Sequence, residues 1–141
     1  MNRDAILLLE DNEERLDRFH KTVLAALPDL RLLTWRSARV MVVELEQYLS
    51  AARLISLDHD LEPLDDDPID PGDGLDVAKW LAERPPACPV IIHTSNNIRG
   101  DSMEGELDLA GWMYRRIPPI GDDWIEVDWL RAARKLLRPG R

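Results

Sequence analysis

The sequence predicts a doubly wound α/β sandwich, a mostly parallel five-stranded sheet with helices on both faces. Three observations carry that expectation. Apolar runs at residues 6–9, 54–57 and 90–92 lack polar alternation, the pattern of strands buried on both faces. Segments with helical spacing separate the runs, so that strand and helix alternate five times along the chain. Each of the three runs ends in acids, histidines or hydroxyls, at the edge where open α/β sheets keep their ligand sites.

The elements follow in order. Residues 6–9 run into Glu10, Asp11 and Asn12, and a helix follows with Leu16, Phe19, Val23, Leu24 and Leu27 on its apolar stripe. Asp11 or Asn12 caps that helix and Pro28 closes it, with His20 on the apolar side in a structural place. Residues 30–35 form a short second strand. Ser37 caps a second helix whose stripe is Met41, Leu45, Tyr48, Leu49 and Ala52. The third strand, 54–57, delivers Asp58, His59 and Asp60. Residues 62–74 are acidic and rich in Pro and Gly, which marks a loop.

A third helix starts near Asp73 or Gly74, carries Leu75, Ala78 and Leu81, and stops before Pro85 and Pro86. The fourth strand, 90–92, delivers His93, Thr94, Ser95 and Asn96. Asp101 and Glu104 have capping-box spacing for a fourth helix that ends near Gly111. Residues 113–117 make a weak fifth strand, cut short by Pro118 and Pro119. A last helix from about Asp128 turns Leu130, Ala133, Leu136 and Leu137 inward and Arg131, Arg134, Lys135 and Arg138 outward. Five such units suit the flavodoxin-like three-layer order 2-1-3-4-5, with the first and third strands adjacent at the switch point.

A chain of 141 residues has the size of one domain, 1–141. A net charge of -9 argues against holding duplex DNA through its general electrostatic field. Cys88 is the lone cysteine, which excludes an internal disulfide, and its place before Pro89 at a strand start reads as packing. The apolar stretch after Met1 is too short for a signal segment, and no window approaches the ~18 apolar residues of a membrane span. The expectation is a cytoplasmic protein without a membrane partner, its oligomeric state left open.

The chemistry gathers at the strand ends. Three carboxylates at Glu10, Asp11 and Asp58 repel one another, and at least one titrates high unless a cation sits among them. Hard oxygen ligands suit Mg²⁺ or Mn²⁺, which leave positions open for phosphate oxygens. The Asp60 carbonyl offers a further ligand, and Thr94 is placed to bond a phosphoryl oxygen. Asp65, Asp66, Asp67, Asp70 and Asp73 miss the spacing of a calcium loop and read as solvated. The five tryptophans are dispersed and form no stacking platform for bases.

Residues 6–12, Leu57-Asp58 with the later Gly72-Asp-Gly74, and Val90-Ile-Ile-His-Thr94 resemble the receiver domains of response regulators over essentially the whole chain. The resemblance implies Mg²⁺ held by Glu10 and Asp11, a phosphoryl acceptor at Asp58, and a switch residue at Thr94. One departure stands out. Receivers carry a lysine at the end of the fifth strand, and here that slot falls on Pro118, with no lysine between Lys79 and Lys135. Arg115 or Arg116 is the candidate substitute. His59 beside Asp58 and His93 beside Thr94 resemble instead a receiver-like group named for predicted processing of cyclic phosphates.

That second resemblance implies a phosphoesterase acting on 2′,3′-cyclic phosphate ends of nucleotides or RNA. In that reading Glu10, Asp11, Asp58 and Asp60 hold the metal. His59, His93 and Asp58 carry the chemistry, imidazole being a suitable acid or base near neutrality. Thr94, Ser95 and Asn96 orient phosphate oxygens. The alternative readings are a stand-alone receiver phosphorylated on Asp58 by a phosphodonor protein, and a degenerate receiver used for docking to an effector. Strand alternation sets His93 opposite Thr94 and His59 opposite Asp58, so a histidine packed under a helix competes with a catalytic one.

Overall fold

The computed structural model describes residues 3–63 and 69–138. Its five strands are β1 (Ala5–Leu9), β2 (Arg31–Trp35), β3 (Ala52–Leu57), β4 (Val90–Ile92) and β5 (Tyr114–Arg116). They pair in parallel in the order β2-β1-β3-β4-β5, as the alternation of elements predicts. The helices are α1 (Glu13–Ala26), α2 (Ala38–Tyr48), α3 (Gly74–Ala82), α4 (Asn97–Leu109) and α5 (Leu130–Leu137).

The two faces of the sheet bury different partners. Leu7, Leu9, Ile55, Leu57, Val90 and Ile92 pack with residues of α2, α3 and α4. Ile6, Leu8, Leu54 and Ile91 pack on the other side with Phe19 and Val23 of α1 and Ala132 and Ala133 of α5. β1 and β4 are buried along their full length and β3 at every position but Arg53, which explains their apolar runs. Asn12 caps α1 by accepting from the Arg15 N–H, and Ser37 caps α2 by accepting from the Val40 N–H.

Several expectations are corrected. Leu24 is 76% exposed, and His20 is exposed too, because the buried stripe of α1 is narrower than its apolar content suggests. Ala52 belongs to β3, since α2 ends at Tyr48 and a 3-10 turn, Leu49–Ala51, intervenes. Asn96, not Asp101, caps α4 by accepting from the Arg99 N–H. Asp101 and Glu104 lie inside α4 and hold Arg116 at 3.2 and 3.4 Å. The last helix begins early, with a π turn at Ile125–Trp129 running into α5. Cys88 is packed against the core, and burial pushes its thiol up to about 12, in keeping with a packing role.

Candidate functional site

The register of the sheet assembles the site. Leu9 pairs with Leu57, and Leu57 with Ile92, so Glu10, Asp58 and His93 follow at one level on three adjacent strands. They continue the rows Ile6-Leu8, Leu54-Ser56 and Ile91, which face α1 and α5. One ligand-capable atom from each of the three lies within 4.8 Å of the others. His93 thus shares a side with Asp58, whereas Thr94 and His59 fall on the opposite parity.

The inner half of this cluster is closed. His93 is fully buried, with its ring centroid 5.4 Å from that of Phe19 and 5.8 Å from that of Trp124. Trp129 Nε1–H donates to Ser56 Oγ at 3.0 Å, and Ser56 Oγ lies 2.8 Å from His93 Nδ1. The indole can only donate, so Ser56 Oγ accepts from it while sharing its second bond with His93 Nδ1. The Glu10 carboxylate can only accept, so His93 Nε2–H donates to its Oε1 at 3.2 Å. The other carboxylate oxygen, Oε2, accepts the Asp11 and Asn12 N–H groups at 3.1 and 3.0 Å. Burial acts to raise the Glu10 carboxyl, but the His93 bond and the backbone donors outweigh it and hold its pKa below the usual range.

The outer half is a cleft of about 660 Å³. Asp11, Asp58, Asp60 and Ser95 line it, and so do Arg15 of α1 and Arg36 between β2 and α2. Asp58 is 6% exposed, and its carboxylate accepts one bond among the described residues, from the His59 N–H at 2.7 Å. Burial first, and the neighbouring Glu10 charge, push its pKa up to about 6 although the His93 ring opposes them. Asp11 also titrates high, through burial and the Glu10 charge, while its Oδ2 accepts the Glu62 N–H at 2.6 Å. This is the crowding of carboxylates that the sequence predicts. Hard oxygens of high proton affinity beside an open cleft fit a divalent cation.

The remaining sequence candidates separate. His59 is buried, its Nδ1 lies 2.7 Å from Asp60 Oδ1, and its Nε2 lies 3.5 Å from Asp73 Oδ2 without a hydrogen bond. Gly74 lets α3 approach this strand end: a Cβ there would strike the Asp58 carbonyl oxygen, and its N–H donates to the His59 carbonyl at 3.0 Å. Thr94 is buried, and its Oγ1 accepts the Asn96 N–H at 3.1 Å. Asn96 caps α4 and donates to Asp60 Oδ1 at 3.3 Å, so of the expected phosphate group Ser95 alone lines the cleft. Asp70 and Asp73 serve local turns: Asp70 accepts the Gly72 N–H, and Asp73 caps α3. Asp65, Asp66 and Asp67 lie outside the described residues.

Neither substitute for the receiver lysine reaches the cleft. Arg115 is exposed on β5. Arg116 lies over Gly100 of α4, where a side chain would collide with its guanidinium, and bonds Asp101 and Glu104. Arg15 and Arg36 are the residues that sequence reading missed. The signal available was weak: arginine one turn into α1, and arginine just past β2, at the same sheet edge.

A parallel sheet in this order with acids at its β1 and β3 ends defines a receiver-class fold. The family model of the cyclic-phosphate processing receiver domain matches residues 5–109, and the chain belongs to that family. Among solved structures it is similar to the phosphorylated cyanobacterial phytochrome response regulator RcpA, at 19% identity and a TM-score of 0.71 over 99% of this chain and 97% of that one. It is similar also to the CheX-CheY-BeF3-Mg²⁺ complex from Borrelia burgdorferi (12% identity, TM-score 0.69, 96% and 90% covered). The isolated receiver domain of RcsB from Salmonella enterica serovar Typhimurium, with BeF3⁻, is a third (19%, 0.65, 95% and 90%). These likenesses establish the fold. No curated protein matches the chain.

Proposed function

We propose that this domain binds a divalent cation, Mg²⁺ or Mn²⁺, and processes a phosphoester there, with 2′,3′-cyclic phosphate ends of nucleotides or RNA as the substrate class. The observation that carries the reading is Asp58, a nearly buried carboxylate raised to about 6 beside Asp11, at the floor of a cleft that also presents arginines. A metal supplies charge compensation and water activation when bound. Asp11 and Asp58, with the Asp60 backbone carbonyl, are the groups that would hold it. Glu10, shut in and saturated with donors, stands behind them as an inner anion.

The expected roles of the two histidines change accordingly. His93 has no route to a substrate and acts as a positioning residue, fixing Glu10 from behind. His59 reaches the cleft through Asp60, to which it is bonded. In hydrolysis water adds its hydroxyl to phosphorus, the bond to one ribose oxygen breaks, and the water's proton ends on that oxygen. The Asp60–His59 pair is suited to carry the proton, with Ser95 orienting a phosphate oxygen. Incubation with 2′,3′-cyclic nucleotides and Mg²⁺ or Mn²⁺ should yield a linear monophosphate, and Asp58→Asn should abolish it. Absence of turnover across several pH values with both metals would sink the enzyme reading.

A second reading is a phosphoryl switch at Asp58. Its support is the family's receiver fold and the similar structures described as phosphorylated or as BeF3⁻ complexes. In that case a phosphodonor and an effector protein are the partners. Beryllofluoride with Mg²⁺ should then raise the melting temperature of the wild type and leave Asp58→Asn unmoved. Both readings place the protein in the cytoplasm; among the described residues no helix is long and apolar enough to cross a membrane.

A further inference from the structure

Charge on the cleft walls points to a cation source other than the β5 end. Five carboxylates line the cleft (Asp11, Glu13, Asp58, Asp60 and Glu62) against the guanidiniums of Arg15 and Arg36, a net charge of -3. One divalent cation leaves it negative. A phosphate arriving there needs directed donors, because the mean field repels it.

The two arginines are tethered so that their donors stay available. Arg15 is 30% exposed, lies 3.8 Å from Glu10 Oε1, and has its guanidinium carbon 5.3 Å from the Trp124 ring centroid. Among the described residues its guanidinium makes no hydrogen bond, so stacking and the ion pair hold it while its donors stay open. Arg36 Nη2 donates to the Asp11 carbonyl at 2.8 Å, and Nη1 donates a longer bond of 3.4 Å to Glu13, whose side chain is 83% exposed. Its Nε is buried and has no partner. Arg36 is thereby attached to the backbone of a proposed metal-binding residue, with donors to spare.

We infer that Arg15 and Arg36 together bind the phosphate oxygens of the ligand, taking the place of the absent lysine from the α1 and β2 side of the cleft instead of the β5 side. The inference rests on the phosphate-binding reading above and adds which residues supply the cation. It has a geometric consequence. The anion is gripped from the α1 and β2 side, with Ser95 facing it from the β4 end of the same cleft.

The test measures binding of inorganic phosphate in the presence of Mg²⁺ by titration calorimetry, and Mn²⁺ affinity separately by electron paramagnetic resonance. Arg15→Gln and Arg36→Gln should each weaken phosphate about 10-fold or more, and the double variant about 100-fold. Mn²⁺ affinity should hold or rise, which also shows that the variants are folded. Arg36→Lys should recover part of the phosphate affinity, and Arg115→Gln should behave as wild type. Unchanged phosphate affinity in both Gln variants overturns the inference while leaving phosphate binding itself intact. Loss on Arg115→Gln overturns it in favour of the β5 side. A wild-type protein that binds Mn²⁺ and no phosphate overturns both the inference and the phosphoester reading.

Discussion

Glu10 and Asp58 sit on neighbouring strands at the same level of the sheet, yet their carboxyls are shifted in opposite directions. Both are buried. Glu10 has a full set of donors in His93 and the Asp11 and Asn12 amides, whereas Asp58 has one amide donor among the described residues and a like charge beside it. Donor supply, not depth, therefore decides the sign. The inner half of the cluster spends its hydrogen bonds on rigidity, and the outer half leaves carboxylate unsatisfied for something that arrives from solution.

Breaking the inner half should have the largest effect. His93→Ala removes a fully buried ring and takes one bond each from Ser56 and Glu10, and should cost about 3–5 kcal/mol of unfolding free energy in urea denaturation. A loss below ~1 kcal/mol would mean that the inner network is not tightly coupled.

Asp58→Asn should act the other way. A carboxyl raised in the folded state contributes stability that is fully present below its unfolded value near 3.8 and lost as pH rises through about 6. Metal-free wild type should therefore lose stability from pH 4 to 6 relative to Asp58→Asn, and the variant should be about 3 kcal/mol more stable at pH 7. Mg²⁺ should reverse the ranking by stabilising only the wild type, read as a melting temperature. Metal affinity should fall as pH drops through 6, because Asp58 then takes a proton.

Ser56→Ala tests the relay between the halves. It leaves Trp129 Nε1 and His93 Nδ1 unpartnered, and should cost about 1–2 kcal/mol while altering Mn²⁺ affinity less than Asp58→Asn does. Asp60→Asn should be the mildest, changing stability by about 0.5 kcal/mol or less because its side chain is 63% exposed. Activity on a cyclic phosphate should nevertheless drop, as Asp60 lies in the outer half. Equal stability costs at Asp60 and His93 would erase the distinction drawn between the two halves.

Most of the fold was legible because its signals are local. The mainly apolar runs mark β1, β3 and β4, and Asn12, Ser37 and Asp73 are capping residues at recognisable offsets. Where local signals compete, the reading slips. Asp101 and Glu104 match a capping box, but the helix is already under way from Asn96, and those acids serve Arg116 instead. The parity of the site was also in the sequence. Residues 6, 8 and 10, residues 54, 56 and 58, and residues 91 and 93 lie on one face, so His93 belongs with Asp58 and not across from it.

By itself the sequence determines an alternating α/β chain that carries Glu10, Asp11, Asp58, His93 and Thr94 to one edge, since strand burial and capping are written in residues a few places apart. Only the tertiary structure decides what those groups become. The register of β1, β3 and β4 encloses His93 behind Glu10, α4 captures Arg116, and α1 and the β2–α2 turn bring Arg15 and Arg36 to the cleft. Each of these depends on contacts between residues far apart in the chain, where spacing along the sequence carries no distance.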